Sequence, residues 1–252
     1  AMGLVPYCGG FTVCMSRNHA KEILKRVEGP VYPHGYNLDS PPTEYWTDFE
    51  ATVMANIGIE FPGFFAPQQA LDYVDQWIKG RARNRKIISI TLRESYHGVS
   101  KNSNVTEWIK FANSLSPEEY FIVFLPDIEK ALDYNRPDLR GYTIFSAAVF
   151  NLLIRMAFYE RCYLSLFTSC GPISLCFYNG ATRFINFKSV PPENLDDEVP
   201  YVVMMGLEIG DDQPWSTPFQ RKVEAEEEFH LISRHFNEMI QLIEYNKTNI
   251  NL

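Results

Sequence analysis

The stretch "IISITLRESYHGVSKNSN", residues 87–104, decides how the chain is read. Ile87, Ile88, Ile90 and Leu92, with Ser89 and Thr91 between them, make a run of strand length with no solvent-facing polar side. Such a run suits a strand covered on both faces, as in a parallel sheet. It ends on Arg93, and Glu94, Ser95, Tyr96, His97, Asn102, Ser103 and Asn104 crowd behind it. Three further runs share the pattern: "YFIVFLP" (120–126), "YLSLFT" (163–168) and "TRFINFK" (182–188). Between them lie helical spacings: "NVTEWIKFANSL" (104–115), "IEKALDY" (128–134), "FSAAVFNLLIRMAFYERC" (145–162) and "GPISLCFYNG" (171–180). Strands alternating with helices imply right-handed crossover units and a parallel sheet flanked by helices on both sides.

Working outward, residues 1–85 read as a mostly helical segment and 86–252 as the α/β unit. "FTVCMS" (11–16) has the alternation of a short strand, and Ser16 is placed to cap a helix over "RNHAKEILKRV" (17–27). Pro-rich "YPHGYNLDSPPTEYW" (32–46) reads as a loop, with helices over "TEYWTDFEATVMANI" (43–57) and "PQQALDYVDQWIKG" (67–80). Acidic "PPENLDDEVPY" (191–201) reads as an exposed loop. Residues 215–245 read as one long closing helix, with Phe229, Ile232, Phe236, Ile240 and Ile243 on its buried face and "EAEEE" at its start, where acids suit the helix dipole.

Across 252 residues the chain is 46% hydrophobic and 14% aromatic, enough for a sizeable core, and its net charge of −8 argues against a general nucleic-acid binder. The basic run "KGRARNRK" (79–86) reads as a solvated helix end, although an anion nearby would benefit from it. Five cysteines without a CxxC pair, with Cys14, Cys162 and Cys176 in apolar surroundings expected to be buried, suit a reducing, cytoplasmic setting. No apolar run approaches a membrane span. The Asn104-Val105-Thr106 and Asn246-Lys247-Thr248 sequons read as chance matches, and Ala1-Met2 as an added remnant or a cut site.

In an open parallel sheet, ligands bind beyond the carboxyl ends of the strands. Three such ends are identifiable: Arg93-Glu94-Ser95, then Asp127, then "TSCGP" (168–172), which opens a helix. An arginine offers a planar fork of donors for phosphate, and the backbone N–H groups of Ser169, Cys170 and Gly171 ahead of Pro172 could assist. Together they suggest a nucleotide diphosphate. Plainer readings stand beside this one. Arg93 could pair with Asp127 or Glu160, Ser103 could cap the following helix, Asn102 could make an Asx turn, and Ser169 and Gly171 could serve only a turn. P-loop, dinucleotide-fingerprint and HExxH motifs are missing. Asp196-Asp197 and Asp211-Asp212 read as solvated pairs, so no metal site and no cofactor are expected. A cysteine hydrolase, with Cys170 as nucleophile and His97 as base, is a further reading.

"ITLRESYHGVSKNSN", "YFIVFLPD" and "YERCYLSLFTSCGPISLCFYNGATRFINFK" resemble the donor-binding domain of GT-B-type glycosyltransferases, most nearly bacterial sugar transferases related to the fucosyltransferases. The resemblance runs over about residues 86–190. It implies a Rossmann-like α/β domain that binds a nucleotide-diphosphate sugar as donor substrate and transfers the sugar, without metal, to an acceptor. Arg93 would hold the donor diphosphate. Ser169, Gly171 and Pro172 would lie beside the nucleotide. Asn102 and Asn104 could reach the sugar or ribose, and Glu94, His97 or Asp127 could serve as base. A binding or assembly module that retains the sheet without the chemistry is the alternative.

Overall fold

The computed structural model describes residues 2–6, 8–31, 36–39, 47–58, 63–131, 133, 136–188 and 211–250. Its centre is a six-stranded sheet of β1 (Lys86–Thr91), β2 (Tyr120–Leu125), β3 (Thr143–Ile144), β4 (Leu164–Thr168), β5 (Phe184–Phe187) and β6 (Gln220–Val223). All pairings are parallel, in the order β3-β2-β1-β4-β5-β6. The expected Rossmann-like α/β architecture is therefore present, and the strand order reverses between β1 and β4.

Side-chain alternation divides the core in two. Ile87, Phe121, Val123, Leu125, Phe167 and Phe184 face one side. They meet α3 (Gln68–Lys79), α6 (Ser146–Phe150), α7 (Leu152–Arg161) and α8 (Ser174–Phe177) there. Ile88, Ile90, Leu92, Phe124, Leu166, Ile185 and Phe187 face the other. That side is covered by α4 (Val105–Ser114) and the C-terminal helix (Phe229–Ile250), through Trp108, Phe111, Ile232, Phe236, Met239 and Ile243. Within the N-terminal segment, α3 is part of the first layer: Trp77 stacks on Phe145 at 4.0 Å between centroids. In α1 (Arg17–Leu24), Ser16 caps as expected, accepting from the His19 N–H at 3.1 Å. Among the described residues the remaining α-helices are α2 (Thr47–Asn56) and the short α5 (Ile128–Ala131).

The chain departs from the sequence expectation at several points. "FTVCMS" forms no strand: Phe11, Val13 and Met15 are 71%, 68% and 88% exposed, and alternation without a pairing partner does not make a ladder. Residues 145–162 are two helices, because the Asn151 side chain accepts from the Leu153 and Ile154 N–H groups and starts α7 anew. Residues 215–245 are not one helix. β6 precedes it, and buried Gln220 is held there by Nε2 bonds to the carbonyls of Asn179 (2.8 Å) and Thr182 (3.1 Å). Cys14 is half-buried, whereas Cys162 and Cys176 are buried as expected. Phe229 is 38% exposed while Ile232, Phe236 and Ile243 are buried. The basic run joins the end of α3 to the first residue of β1, at the amino edge, away from the strand ends where a ligand would sit. There Arg81 covers Trp77, Arg85 covers Phe121 and Lys86 pairs with Glu119 and Glu244. Residues 191–201, with Asp196-Asp197, lie outside the described residues. Asp212 accepts from the Lys222 N–H at 2.7 Å, tying its loop to β6.

Candidate functional site

Because every pairing is parallel, the carboxyl ends of β1, β2 and β4 share one edge, so Arg93, Asp127 and Ser169 leave the sheet together. The ladder continues one residue past β1, with Leu92 N–H on Leu125 O at 3.0 Å. Counting by twos from Thr91, Leu125 and Phe167, all three residues continue the positions that face α7. Thr91 itself meets the Tyr159 hydroxyl of α7 at 3.0 Å.

Arg93 lacks an acid partner: among the described residues no carboxylate lies within ion-pair distance of it. Its Nη2 donates to the His97 carbonyl at 3.1 Å, and its buried Nε has no acceptor. The two acids it could have paired with are committed elsewhere. Asp127 accepts from the N–H groups of Ile128 (2.7 Å) and Glu94 (3.3 Å), and Glu160 from those of Ala66 (2.8 Å) and the Asn179 amide (3.0 Å). The polar run behind Arg93 largely folds its own loop. Asn102 clamps Ser95 with two bonds of 2.9 and 2.8 Å, the Ser95 hydroxyl accepts from the His97 N–H, and Gly98 takes a left-handed φ of 64°. Glu94 is ion-paired with Arg136 at 2.7 Å, both side chains nearly buried, and Arg136 also forks onto Asp138. His97 is exposed.

Ser103 does not cap α4. Its hydroxyl accepts from the Arg93 N–H at 2.8 Å and bonds Thr168 across the switch point; Thr168 in turn donates to Glu227. Glu227, 1% exposed, also accepts from Trp108 Nε1 (2.9 Å) and the Asn104 N–H (2.6 Å). The N-terminus of α4, otherwise open to an anion, is thus filled by a protein carboxylate. The favour is returned: Glu107 of α4 accepts from the Phe229 N–H at the start of the C-terminal helix, at 2.9 Å. Sequence reasoning passed over Glu227, because one acid within "EAEEE" carries no local sign of burial.

Burial pushes the Glu227 carboxyl above its ordinary value, against the pull of Thr168, Asn104, Trp108 and Lys188. A carboxyl raised on folding holds its proton longer in the folded state. Its stabilising contribution is therefore full below the unfolded value near 4.5 and is lost as pH rises through the folded one. Glu227→Gln, which does not titrate, should melt below the parent protein, with a deficit largest near pH 4–5 that narrows toward neutrality. Melting curves of both proteins across that range check this; a deficit that widens with pH would reverse the assignment.

At the third strand end the Ser169 N–H donates to Phe187 O at 2.9 Å, so it belongs to the sheet and is not offered to a ligand. Gly171–Ile173 is a single 3-10 turn leading to α8, too short for a helix dipole to help. Asn104 is exposed, and its side chain caps nothing. Cys170 is half-buried as a residue, but its sulfur packs against the α7 side of the core. Burial pushes the thiol up to about 12, with Arg155 and Arg93 pulling back. The thiolate is the nucleophile in cysteine chemistry, so this environment opposes the hydrolase reading. Among the described residues, no three His, Cys, Asp or Glu side chains gather as a metal site, and no helix is long and apolar enough to cross a membrane.

No protein-family model matches the chain, and no curated protein matches it. Among solved structures it is similar to the glycosyl transferase family 9 protein of Veillonella parvula, with 14% identity and a TM-score of 0.44 over 60% of this chain. The chain spans 46% of that protein, about half its length.

Proposed function

We propose that the carboxyl edge binds the diphosphate of a nucleotide-diphosphate sugar, and that the chain is a metal-independent glycosyltransferase or the donor-binding part of one. The observation that carries this reading is Arg93: a half-buried guanidinium at the topological switch point, free of acid partners among the described residues and with an unpaired Nε. That is the group and the position a sheet of this order offers to a pyrophosphate. In transfer, an acceptor hydroxyl forms the new bond to the sugar's anomeric carbon while the bond from that carbon to the diphosphate oxygen breaks. The diphosphate leaves with the electron pair, and Arg93 stabilises the developing charge. The acceptor's proton passes to a base on the acceptor side.

The same geometry favours a second reading, a module that binds the donor without turnover. Glu94 is held by Arg136 and Asp127 by two backbone N–H groups, so two of the three candidate bases are already engaged. A thermal-shift screen against nucleoside diphosphates and their sugars tests both readings. Saturation at a hundredfold excess over Kd should stabilise the fold by about 2.7 kcal/mol. Failure of every nucleotide to shift the melting point, in the presence or absence of Mg²⁺, would sink both. Binding with no release of nucleoside diphosphate over a panel of acceptors would favour the second.

A further inference from the structure

Arg155, in the first turn of α7, is 4% exposed. Its Nε donates to the Ala148 carbonyl at 2.7 Å and its Nη2 to the Val149 carbonyl at 3.3 Å, bracing the break between α6 and α7. Its Nη1 has no acceptor among the described residues, and no described carboxylate lies within ion-pair distance. A buried guanidinium without an acid is costly, and two carbonyls offset only part of the cost.

The height of Arg155 above the sheet follows from two contacts. Tyr159 meets Thr91 at the end of β1, whereas Tyr163 N–H bonds Ile87 O at 2.8 Å near its start, so α7 runs antiparallel to β1. Arg155 precedes Tyr159 by one turn, about 6 Å nearer the carboxyl edge. Arg93 lies two residues past Thr91, about 6.6 Å along the same direction. The two arginines therefore leave their elements at about the same height, on the α7 side of the switch point.

We infer that Arg155 is the second arm of an anion cradle, and that it and Arg93 hold the two phosphoryl groups of a diphosphate. The inference rests on the reading of Arg93 as a diphosphate ligand. Two arginines that leave their elements at one height, each without an acid partner among the described residues, match a ligand with two anionic centres.

The test is calorimetric titration of inorganic pyrophosphate into the parent protein, Arg93→Lys, Arg155→Lys and Arg155→Met, with melting temperatures alongside. Pyrophosphate binding should weaken about tenfold in Arg155→Lys and tenfold to a hundredfold in Arg155→Met. If Arg155→Met does not fold, Arg155→Lys decides, since it keeps the charge and one bond to the α6 carbonyls. Parent-like affinity in Arg155→Lys and Arg155→Met alongside weakened binding in Arg93→Lys would make Arg155 only a helix brace: the inference falls and the reading of Arg93 stands. No binding of pyrophosphate or nucleoside diphosphate by the parent protein removes the reading of Arg93 and the inference with it.

Discussion

Arg93→Lys should bind nucleoside diphosphates about tenfold to a hundredfold more weakly than the parent protein while melting at nearly the same temperature. Lysine keeps the charge but loses the planar fork, and a charge-assisted hydrogen bond contributes roughly 1.5–3 kcal/mol. The fold has little to lose, since among the described residues this guanidinium bonds only a carbonyl in its own loop and no described acid depends on it. Titration of UDP and GDP, with melting curves, separates the outcomes. A strong drop in melting temperature in Arg93→Ala would point to a structural role, and unchanged affinity in both variants would remove Arg93 from the site.

Gly63→Ala should lower the melting temperature strongly without touching the switch point. A methyl group there would lie 1.9 Å from the Tyr178 carbonyl oxygen, a backbone atom that cannot swing aside. The segment it anchors is stitched to the core by Phe64 N–H on Tyr178 O (2.9 Å), Phe65 N–H on Leu4 O (2.9 Å), and the Asn179 amide on Phe64 O (2.6 Å). Either the segment lifts and loses these bonds, or α8 shifts beneath it. Overpacking of this kind costs about 1–3 kcal/mol, which for a chain of this size is a fall of roughly 2–12 °C. A melting temperature within a degree of the parent would show that the segment is only loosely seated.

Four of the six strands were legible in the sequence for one reason: both faces of each are buried, so each reads as an unbroken apolar run. The two that were not lie at the ends of the sheet. β3 is two residues long, and β6 is "QRKV", in which Val223 alone is apolar. Edge strands need only one covered side and short pairing, so their composition approaches that of a loop. The strand ends were legible too, because a parallel sheet collects them on one edge whatever the loops do. What could not be read was how the polar loop residues are spent. Asn102 and Ser95 fold their own loop, Ser103 crosses to Thr168, and Glu227 arrives from far along the chain. Composition announces that such groups exist; only the tertiary path decides whether each is left for a ligand.

The exchange of carboxylates between α4 and the C-terminal helix bears on the order in which the chain acquires its structure. Asn104 and Glu227 are 123 positions apart, and Glu107 and Phe229 are 122 apart. During synthesis the first turn of α4 therefore emerges long before the acid that completes it. The Ile88–Ile90–Leu92 face of the sheet likewise waits for Ile232, Phe236 and Met239 before it is sealed. Contacts of such long sequence separation carry the loop-closure cost that slows folding. Until they form, the nascent chain carries a half-covered apolar sheet, the kind of surface that chaperones hold and that aggregates when left unattended. One pair of acids at the two helix starts thus marks a late closure, which waits until the Phe229–Ile250 helix has emerged from the ribosome.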